Sequence, residues 1–528
     1  MAAGTVFSRA SGFIRSALLV AALGSGIHAD VFTIANTIPN MLYILLAGGV
    51  FNAVLVPQLV RAQKNDADGG AAYTDRIITL AALFLGVVTL ILVLGAPLLM
   101  RIYLDSSWYD AQHAAALEST IDFARWCLPQ VFFYGMFVLV GQVLNARGSF
   151  GPMMWTPIAN NVISVATLII YLATFGKAGP GTLGYSTGEE ILLGLGSTLG
   201  IAAQFVLLLP YLRRAGVRFA PRFDFRGAGL SHTFKLGVWT VLFVVVNQIA
   251  YTIVTRLASS GSGQGGTGYT IYSNAFLVTQ VPHSIITVSL ATAMLPLLSK
   301  HAAASDLPAL GRALTSQMRN ALAIVIPVAA LLPVLSVDIA HVLFGWGAGA
   351  SAFRDYGPTL AVLAPGMVFF TIHYLLLRGF YSLEKNRTVF YIQCCVAATN
   401  IVAAMVFTRL VDPHYTAAAL AGAYGCSYLV GAVVSYVVLH RTLGDLDGAK
   451  LVGYLGRLLG ITIVAAAAAW VLRSGLGRIN DDPSLLLTII GAIVVSMVHF
   501  GMLLLGAQAA QVRELNAMVR QVTRRLRR

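Results

Sequence analysis

The sequence predicts an all-α, polytopic membrane protein of about fourteen transmembrane helices, and three observations carry that prediction. Of 528 residues, 57% are hydrophobic and only 11% are charged, whereas soluble domains carry roughly 25% charged residues. Mean hydropathy is +0.78. A soluble chain of this length would need polar residues to cover two or more domains. This one lacks them, so lipid must solvate most of its surface. The third observation is spacing: apolar runs of about 20 residues, enough to cross a bilayer as a helix, recur along the whole chain.

The runs fall at 5–24, 32–60, 77–104, 120–146, 151–175, 188–212, 232–257, 269–298, 316–345, 357–381, 388–410, 415–440, 452–473 and 484–508. The first is short and carries Arg9 and Arg15. It has the look of a signal peptide, but no Ala-x-Ala cleavage site leads into a soluble domain, so it reads as a retained helix. Pro39, Pro129, Pro157, Pro282, Pro327, Pro333 and Pro365 fall inside or at the rim of later runs, which marks kinked helices rather than a rigid channel. Residues 509–528 form a basic amphipathic tail with six arginines, suited to lie on anionic headgroups. Cys127, Cys394, Cys395 and Cys426 all sit in apolar runs without metal-ligand spacing and read as small packing residues.

A net charge of +14 would suggest nucleic acid in a soluble chain. Here it reports sidedness, and no nucleic-acid partner is expected. Of the 35 Lys and Arg, 25 fall in connections after even-numbered spans and in the tail, eight fall in odd-numbered connections, and Arg9 and Arg15 are the other two. Basic residues collect in cytoplasmic loops, so both termini are predicted to be cytoplasmic.

Two pairs of segments suggest an internal repeat. Ile38-Pro39-Asn40, closing at Pro57 and Arg61, is echoed by Val281-Pro282-His283, closing at Pro296 and Lys300. A short basic loop before Asn160-Asn161 is echoed by another before Asn400. The predicted organisation is an N-terminal lobe at 1–214, a cytoplasmic linker at 215–229, a second lobe of the same orientation at 230–441, two extra helices at 442–508, and the tail. Lobes of this kind carry substrate between them and alternate access by rocking.

Ionisable side chains inside a span are expensive and mark function by default. Arg15 lies about ten residues into the first run, hence about 15 Å along it, too deep to snorkel easily. Arg9 is nearer the end. The two are about 120° apart around a helix, and Ser8, Ser11 and Gly12 keep that region small and polar. No acid shares the helix; the nearest in sequence is Asp30. Two cations without an internal partner call for an anion from elsewhere, and the planar fork of arginine suits phosphate. Asn160, Asn161, Asn247, Gln248 and Asn400 read as interhelical hydrogen-bond glue. Arg125 and Asp338 read as interfacial, and His341 and His373 as packed, hydrogen-bonded histidines. No Walker loop, HExxH or aspartate cluster for metal-bound pyrophosphate chemistry occurs. The chain therefore reads as a transporter without a cofactor, driven by an ion gradient or potential or running downhill, with the coupling ion open.

The run Phe7-Ser8-Arg9-Ala10-Ser11-Gly12-Phe13-Ile14-Arg15, then Gly24-Ser25-Gly26, Ala29-Asp30-Val31-Phe32, Ile38-Pro39-Asn40, Gly49-Val50-Phe51 and Val56-Pro57 resembles the start of the MurJ/MviN lipid II flippases. These belong to the multidrug/oligosaccharidyl-lipid/polysaccharide exporter superfamily. The stretch from Leu290 to Lys300 is similar to the same family, and the fourteen-span layout extends the resemblance over the whole chain. The resemblance implies movement of lipid II, an undecaprenyl-pyrophosphate-linked glycopeptide, to the outer leaflet of the bacterial cytoplasmic membrane for peptidoglycan synthesis. It implies substrate-binding roles for Arg9, Arg15, Ser8, Asp30 and Asn40. Where many members carry an arginine in the second helix this chain has Tyr43, their acidic residue a turn later corresponds to Gly48, and a basic residue of their eighth span corresponds to Leu277. Arg256 is the candidate substitute base. Implied partners are lipid II and membrane lipids, with cell-wall synthesis and division proteins as further candidates. Some members continue into a kinase-like cytoplasmic domain, which an end at Arg527-Arg528 permits.

The expected function is thus an alternating-access flippase with the pyrophosphate on Arg9 and Arg15. The rivals are a flippase for another polyprenyl-linked glycan, such as an O-antigen or capsule unit, and an ion-coupled drug antiporter, which would want acids at mid-depth in the first lobe. A membrane-bound glycolipid polymerase would need a catalytic group in a large external loop, and the external loops are short.

Overall fold

The computed structural model describes residues 2–45, 56–65, 68–179, 181–224, 230–444, 446–480, 483–512 and 514–516, less the side chains of 2–7, 9, 56–57, 60, 64–65, 230–237 and 449. Among these residues there is helix and no strand. In chain order the helices are α1 (Ala2–Leu23), α2 (Ile27–Ile44), α3 (Val56–Asn65), α4 (Ala71–Leu94), α5 (Ala96–Tyr103), α6 (Ala114–Cys127), α7 (Gln130–Ala146), α8 (Gly151–Thr174), α9 (Thr187–Val206), α10 (Leu209–Arg214), α11 (Leu230–Gly263), α12 (Tyr269–Pro282), α13 (Val288–Ala303), α14 (Leu307–Phe344), α15 (Tyr356–Ser382), α16 (Asn386–Leu410), α17 (Thr416–Leu443), α18 (Gly448–Ile479) and α19 (Leu485–Ala509). Within the described residues every predicted span coincides with one helix or with consecutive helices. Twelve segments from α4 onward are long and apolar enough to cross a membrane, and Ala10–Leu23 is a shorter apolar helix. The tail from 517 to 528 and residues 46–55 of the second predicted span, Gly48 among them, lie outside the described residues.

Local signals explain where helices start, stop and bend. α1 ends at Gly24, whose φ of 76° is the left-handed conformation glycine adopts without a Cβ penalty. Its N–H returns to Val20 O at 2.8 Å. α9 opens with a capping box in which Ser186 and Glu189 satisfy each other's backbone N–H. α14 opens on Asp306, whose carboxylate accepts from Ala309 N at 3.0 Å. Leu128–Pro129 splits the fourth predicted span into α6 and α7, whereas Pro39 stays inside α2. A π-helical turn at His283–Thr287 joins α12 to α13.

The chain divides into two compact units. Unit 1 holds residues 1–270 and 346–350. Its core gathers Leu85 of α4, Val138, Leu139 and Leu144 of α7, and Leu208 and Leu212 near α10. α8 and α9 approach closely because Gly196 and Gly200 carry no Cβ: one added at Gly200 would meet Asn160 Oδ1 at 2.4 Å. Small residues at helix contacts are how membrane bundles bring backbones together. Leu83, Phe84, Val87, Leu90, Ile91 and Leu94 form an exposed apolar stripe on α4, a surface that requires lipid.

Unit 2 holds residues 271–345 and 351–528. Leu331 and Leu335 of α14, Ala469 of α18 and Val495 of α19 pack into one cluster. His499 on α19 lies 3.1 Å from Pro327 O. His341 pairs with Thr488 at 3.0 Å and His373 with Ser435 at 3.0 Å, as expected of packed histidines. Asp338 differs from expectation. It is 4% exposed and takes two hydrogen bonds from Arg473, at 2.6 and 2.8 Å. A carboxylate on an apolar helix can be buried only if paired, and its partner is 135 residues away.

Candidate functional site

The polar face of α1 is built by helical spacing. Ser8, Ser11, Gly12 and Arg15 stand at i, i+3, i+4 and i+7, which puts them on one side of the helix. Asn161 of α8 grips that side with both amide hydrogens, donating to Ser8 O at 2.9 Å and to Ser11 Oγ at 2.8 Å. Ser11 in turn donates to Ser8 O at 3.0 Å. α1 is thereby fixed in rotation one turn before Arg15. We expect Asn161→Leu to shift the melting temperature little, since such interhelical bonds are worth only about 0.6 kcal/mol. The same change is expected to reduce transport several-fold by letting α1 turn. A loss of folded protein equal to the loss of activity would contradict the positioning role.

Arg15 is half-buried. Among the described residues no carboxylate pairs with it and no hydrogen bond reaches its guanidinium. Tyr134 of α7 interacts electrostatically with Arg15. The ring of Tyr134 lies 4.7 Å from that of Tyr43 on α2, tilted by 32°. The Arg9 side chain falls outside the described residues.

Of the other expected site residues, Asp30 and Arg256 bond elsewhere. Asn40 is exposed on α2. Asp30 is 0% exposed, and its two oxygens accept from Tyr269 N at 2.8 Å and Thr270 N at 2.7 Å. It therefore caps the start of α12, where a carboxylate satisfies orphan N–H groups and opposes the helix dipole. The fit is tight: a Cβ on Gly268 would lie 2.0 Å from Asp30 Oδ2. Gly268→Ala is expected to displace the carboxylate and cost about 1–3 kcal/mol, read as a lowered melting temperature. An unchanged melting temperature would mean the turn relaxes freely. Arg256 donates to Arg101 O at 2.6 Å and Ile102 O at 3.3 Å, near the C-terminal end of α5, whose carbonyls lack helical partners.

Gln248 acts as interhelical glue, donating to Met41 O of α2, whereas Asn247 donates within its own helix, to Phe243 O at 2.8 Å. Arg125 pairs with Asp122 at 2.7 Å on the surface. Tyr134 is the component that sequence reasoning missed. Its one signal is a hydroxyl-bearing side chain within an apolar run. Among the described residues no group of three or more His, Cys, Asp and Glu is placed to hold a metal ion. What the site offers, among the described residues, is a cation that no carboxylate pairs with, which suits an anionic ligand.

A family model described as "Lipid II flippase MurJ" matches residues 19–478. The chain is 25% identical over 486 residues to a "Probable lipid II flippase MurJ" of Haemophilus influenzae, covering 88% of this chain and 90% of that protein. It is likewise 25% identical over 413 residues to the "Lipid II flippase MurJ" of Burkholderia cenocepacia, covering 77% of each. In structure it is similar to "Lipid II flippase MurJ, inward closed conformation", with a TM-score of 0.71 at 17% identity, covering 95% of this chain and 98% of that one. A "multidrug resistance MATE family transporter" in an inward-facing conformation gives 0.65 at 16% identity, over 84% of this chain and 96% of the other.

Proposed function

Because the chain belongs to the MurJ family of lipid II flippases, we propose that it carries lipid II from the inner to the outer leaflet by alternating access, with the pyrophosphate docked on Arg15. The protein is a multi-pass protein of the bacterial inner membrane and a transporter rather than an enzyme. The observation that carries the docking site is that, among the described residues, nothing pairs with the guanidinium of Arg15 on an apolar helix. A cation held there without a counter-ion is costly. A diphosphate would neutralise it and take up its forked donors.

The roles of Ser8 and Arg9 follow from their place on the same helix. Ser8 supplies the carbonyl that fixes α1, and Arg9 adds a second positive charge nearer its start. Asp30 contributes indirectly, by holding the turn at 268–270. Arg256 contributes positive charge at a distance from this face of α1, and Asn40 an exposed amide. The bias of basic residues supports cytoplasmic termini. Proteins of cell-wall synthesis and division, which make and consume the substrate, are the protein partners to test.

Complementation tests the substrate. The chain is expressed in a bacterium depleted of its own lipid II flippase, and accumulated lipid II is assayed. Growth with normal lipid II levels is the expected result. No rescue by a correctly inserted protein would move the assignment to another polyprenyl-linked glycan.

A further inference from the structure

α10 ends in a turn that sends the chain back across its neighbours. Gly216, with a φ of 80°, takes the left-handed conformation at no Cβ penalty. Its N–H returns to Arg213 O at 3.0 Å, and that of Val217 to Leu212 O at 3.2 Å. Residues 215–224 then run on without helix or strand, as a strap pinned at four points. Val217 is buried in the core of unit 1. Arg147, at the end of α7, donates to Ala215 O at 3.0 Å. Arg222 N donates to Thr79 Oγ1 of α4 at 3.1 Å, and Arg76 of α4 donates through Nε to Asp224 at 2.9 Å. Thr79 lies in the first turn of the apolar run that begins at 77, and Leu212 closes the run that begins at 188. The strap is therefore held level with the ends of two spans.

At that level it displays side chains of two opposed kinds. Arg213, Arg214, Arg218 and Arg222 are exposed, and among the described residues none of the four is in a salt bridge. Asp68, Asp75 and Asp224 act on Arg222 alone of these four. Of those acids, Asp224 is held by Arg76, and Asp68 accepts from Gly70 N and Ala72 N at 3.0 and 2.7 Å. Between the arginines stand Tyr211, Phe219 and Phe223, which are 41%, 45% and 67% exposed. The Arg214 guanidinium lies 5.7 Å from the Tyr211 ring centre. Single apolar residues on a surface need no explanation. Here rings alternate with guanidinium groups along a pinned segment at the end of a span. Water solvates the charges and not the rings, whereas the interface of an anionic leaflet solvates both. A soluble polyanion would engage the arginines, but it would leave the rings in water.

We propose that residues 211–224 form a docking surface for anionic phospholipid. The arginines take headgroup phosphates, which suit their planar fork, while Phe219 and Phe223 enter the acyl boundary. Lipid bound there braces the ends of α4, α7 and α10, which the strap ties together.

The test titrates the purified full chain, in neutral detergent, with phosphatidylglycerol or phosphatidylcholine. Native mass spectrometry reads the affinity of the first bound lipid, with thermal unfolding as the fold check. The variants are Arg213→Gln with Arg218→Gln, and Phe219→Ser with Phe223→Ser. Arg312→Gln with Lys385→Gln, two exposed basic residues of unit 2, is the charge-matched control. Each arginine at an anionic surface is worth about fivefold, so the strap arginine pair should lose at least about fivefold in phosphatidylglycerol affinity and little for phosphatidylcholine. The phenylalanine pair should weaken both lipids by about fivefold, as apolar burial is lost. The control should keep the wild-type preference. Wild-type affinity for phosphatidylglycerol in the strap arginine variant would overturn the proposal. So would an equal loss in the control, which would make total charge rather than the strap the cause. Unchanged lipid affinity in the phenylalanine variant would overturn the membrane assignment and point to a soluble polyanion as the ligand of the arginines.

Discussion

Arg15→Ala is expected to lower lipid II translocation about a hundredfold, with the protein still folded and inserted. The size follows from the chemistry. A forked pair of charge-assisted hydrogen bonds is worth on the order of 3 kcal/mol after solvent exchange, and each 1.4 kcal/mol is tenfold. The direction of the stability change separates this reading from a structural one. Arg15 has no protein counter-ion among the described residues, so its removal relieves an unpaired charge in an apolar helix and should leave the melting temperature unchanged or slightly raised. Arg15→Lys keeps the charge but loses the planar fork, and should retain a small part of the activity. Activity in Arg15→Ala close to wild type would remove the docking role, as would a collapse of folded protein in both variants.

Asp338→Ala is the second large effect, and it is one of stability. Removing one partner of a buried ion pair leaves the other without compensation, which costs up to about 3–5 kcal/mol. The Arg473 side chain keeps 26% of its exposure, so the lower part of that range is expected, seen as a marked fall in melting temperature in detergent. Converting the pair together, as Asp338→Leu with Arg473→Met, should recover most of the loss, because two apolar residues need no partner. If the double variant were no more stable than the single one, the pair would not be what ties α14 to α18.

These two cases mark what the sequence reveals and what it hides. The spans are readable because lipid enforces long apolar helices, and among the described residues each predicted run has its helix. Arg15 is readable for the same reason, since a cation in such a run stands out. Helix breaks are less so: Pro129 lies at the break between α6 and α7, whereas Pro39 lies inside α2. Long-range partnerships were not legible. Asp30 bonds to residues 239 and 240 positions away, and its capping role depends on a turn that only Gly268 fits. Asp338 and Arg473 each read as residues near a helix end until the fold joins them. Tyr134 shows nothing in sequence that sets it apart from other aromatic residues in apolar runs. Its packing against Tyr43 of α2 comes only with the fold.

The most direct test reconstitutes the purified chain into liposomes with labelled lipid II in both leaflets and follows how much of the label a membrane-impermeant reagent reaches over time. Wild-type protein should exchange the label between leaflets in minutes, and Arg15→Ala at an equal inserted amount should fall to the rate of empty liposomes. Equal rates for the two proteins would contradict anion docking on Arg15, and a wild-type rate no faster than empty liposomes would contradict the flippase assignment itself.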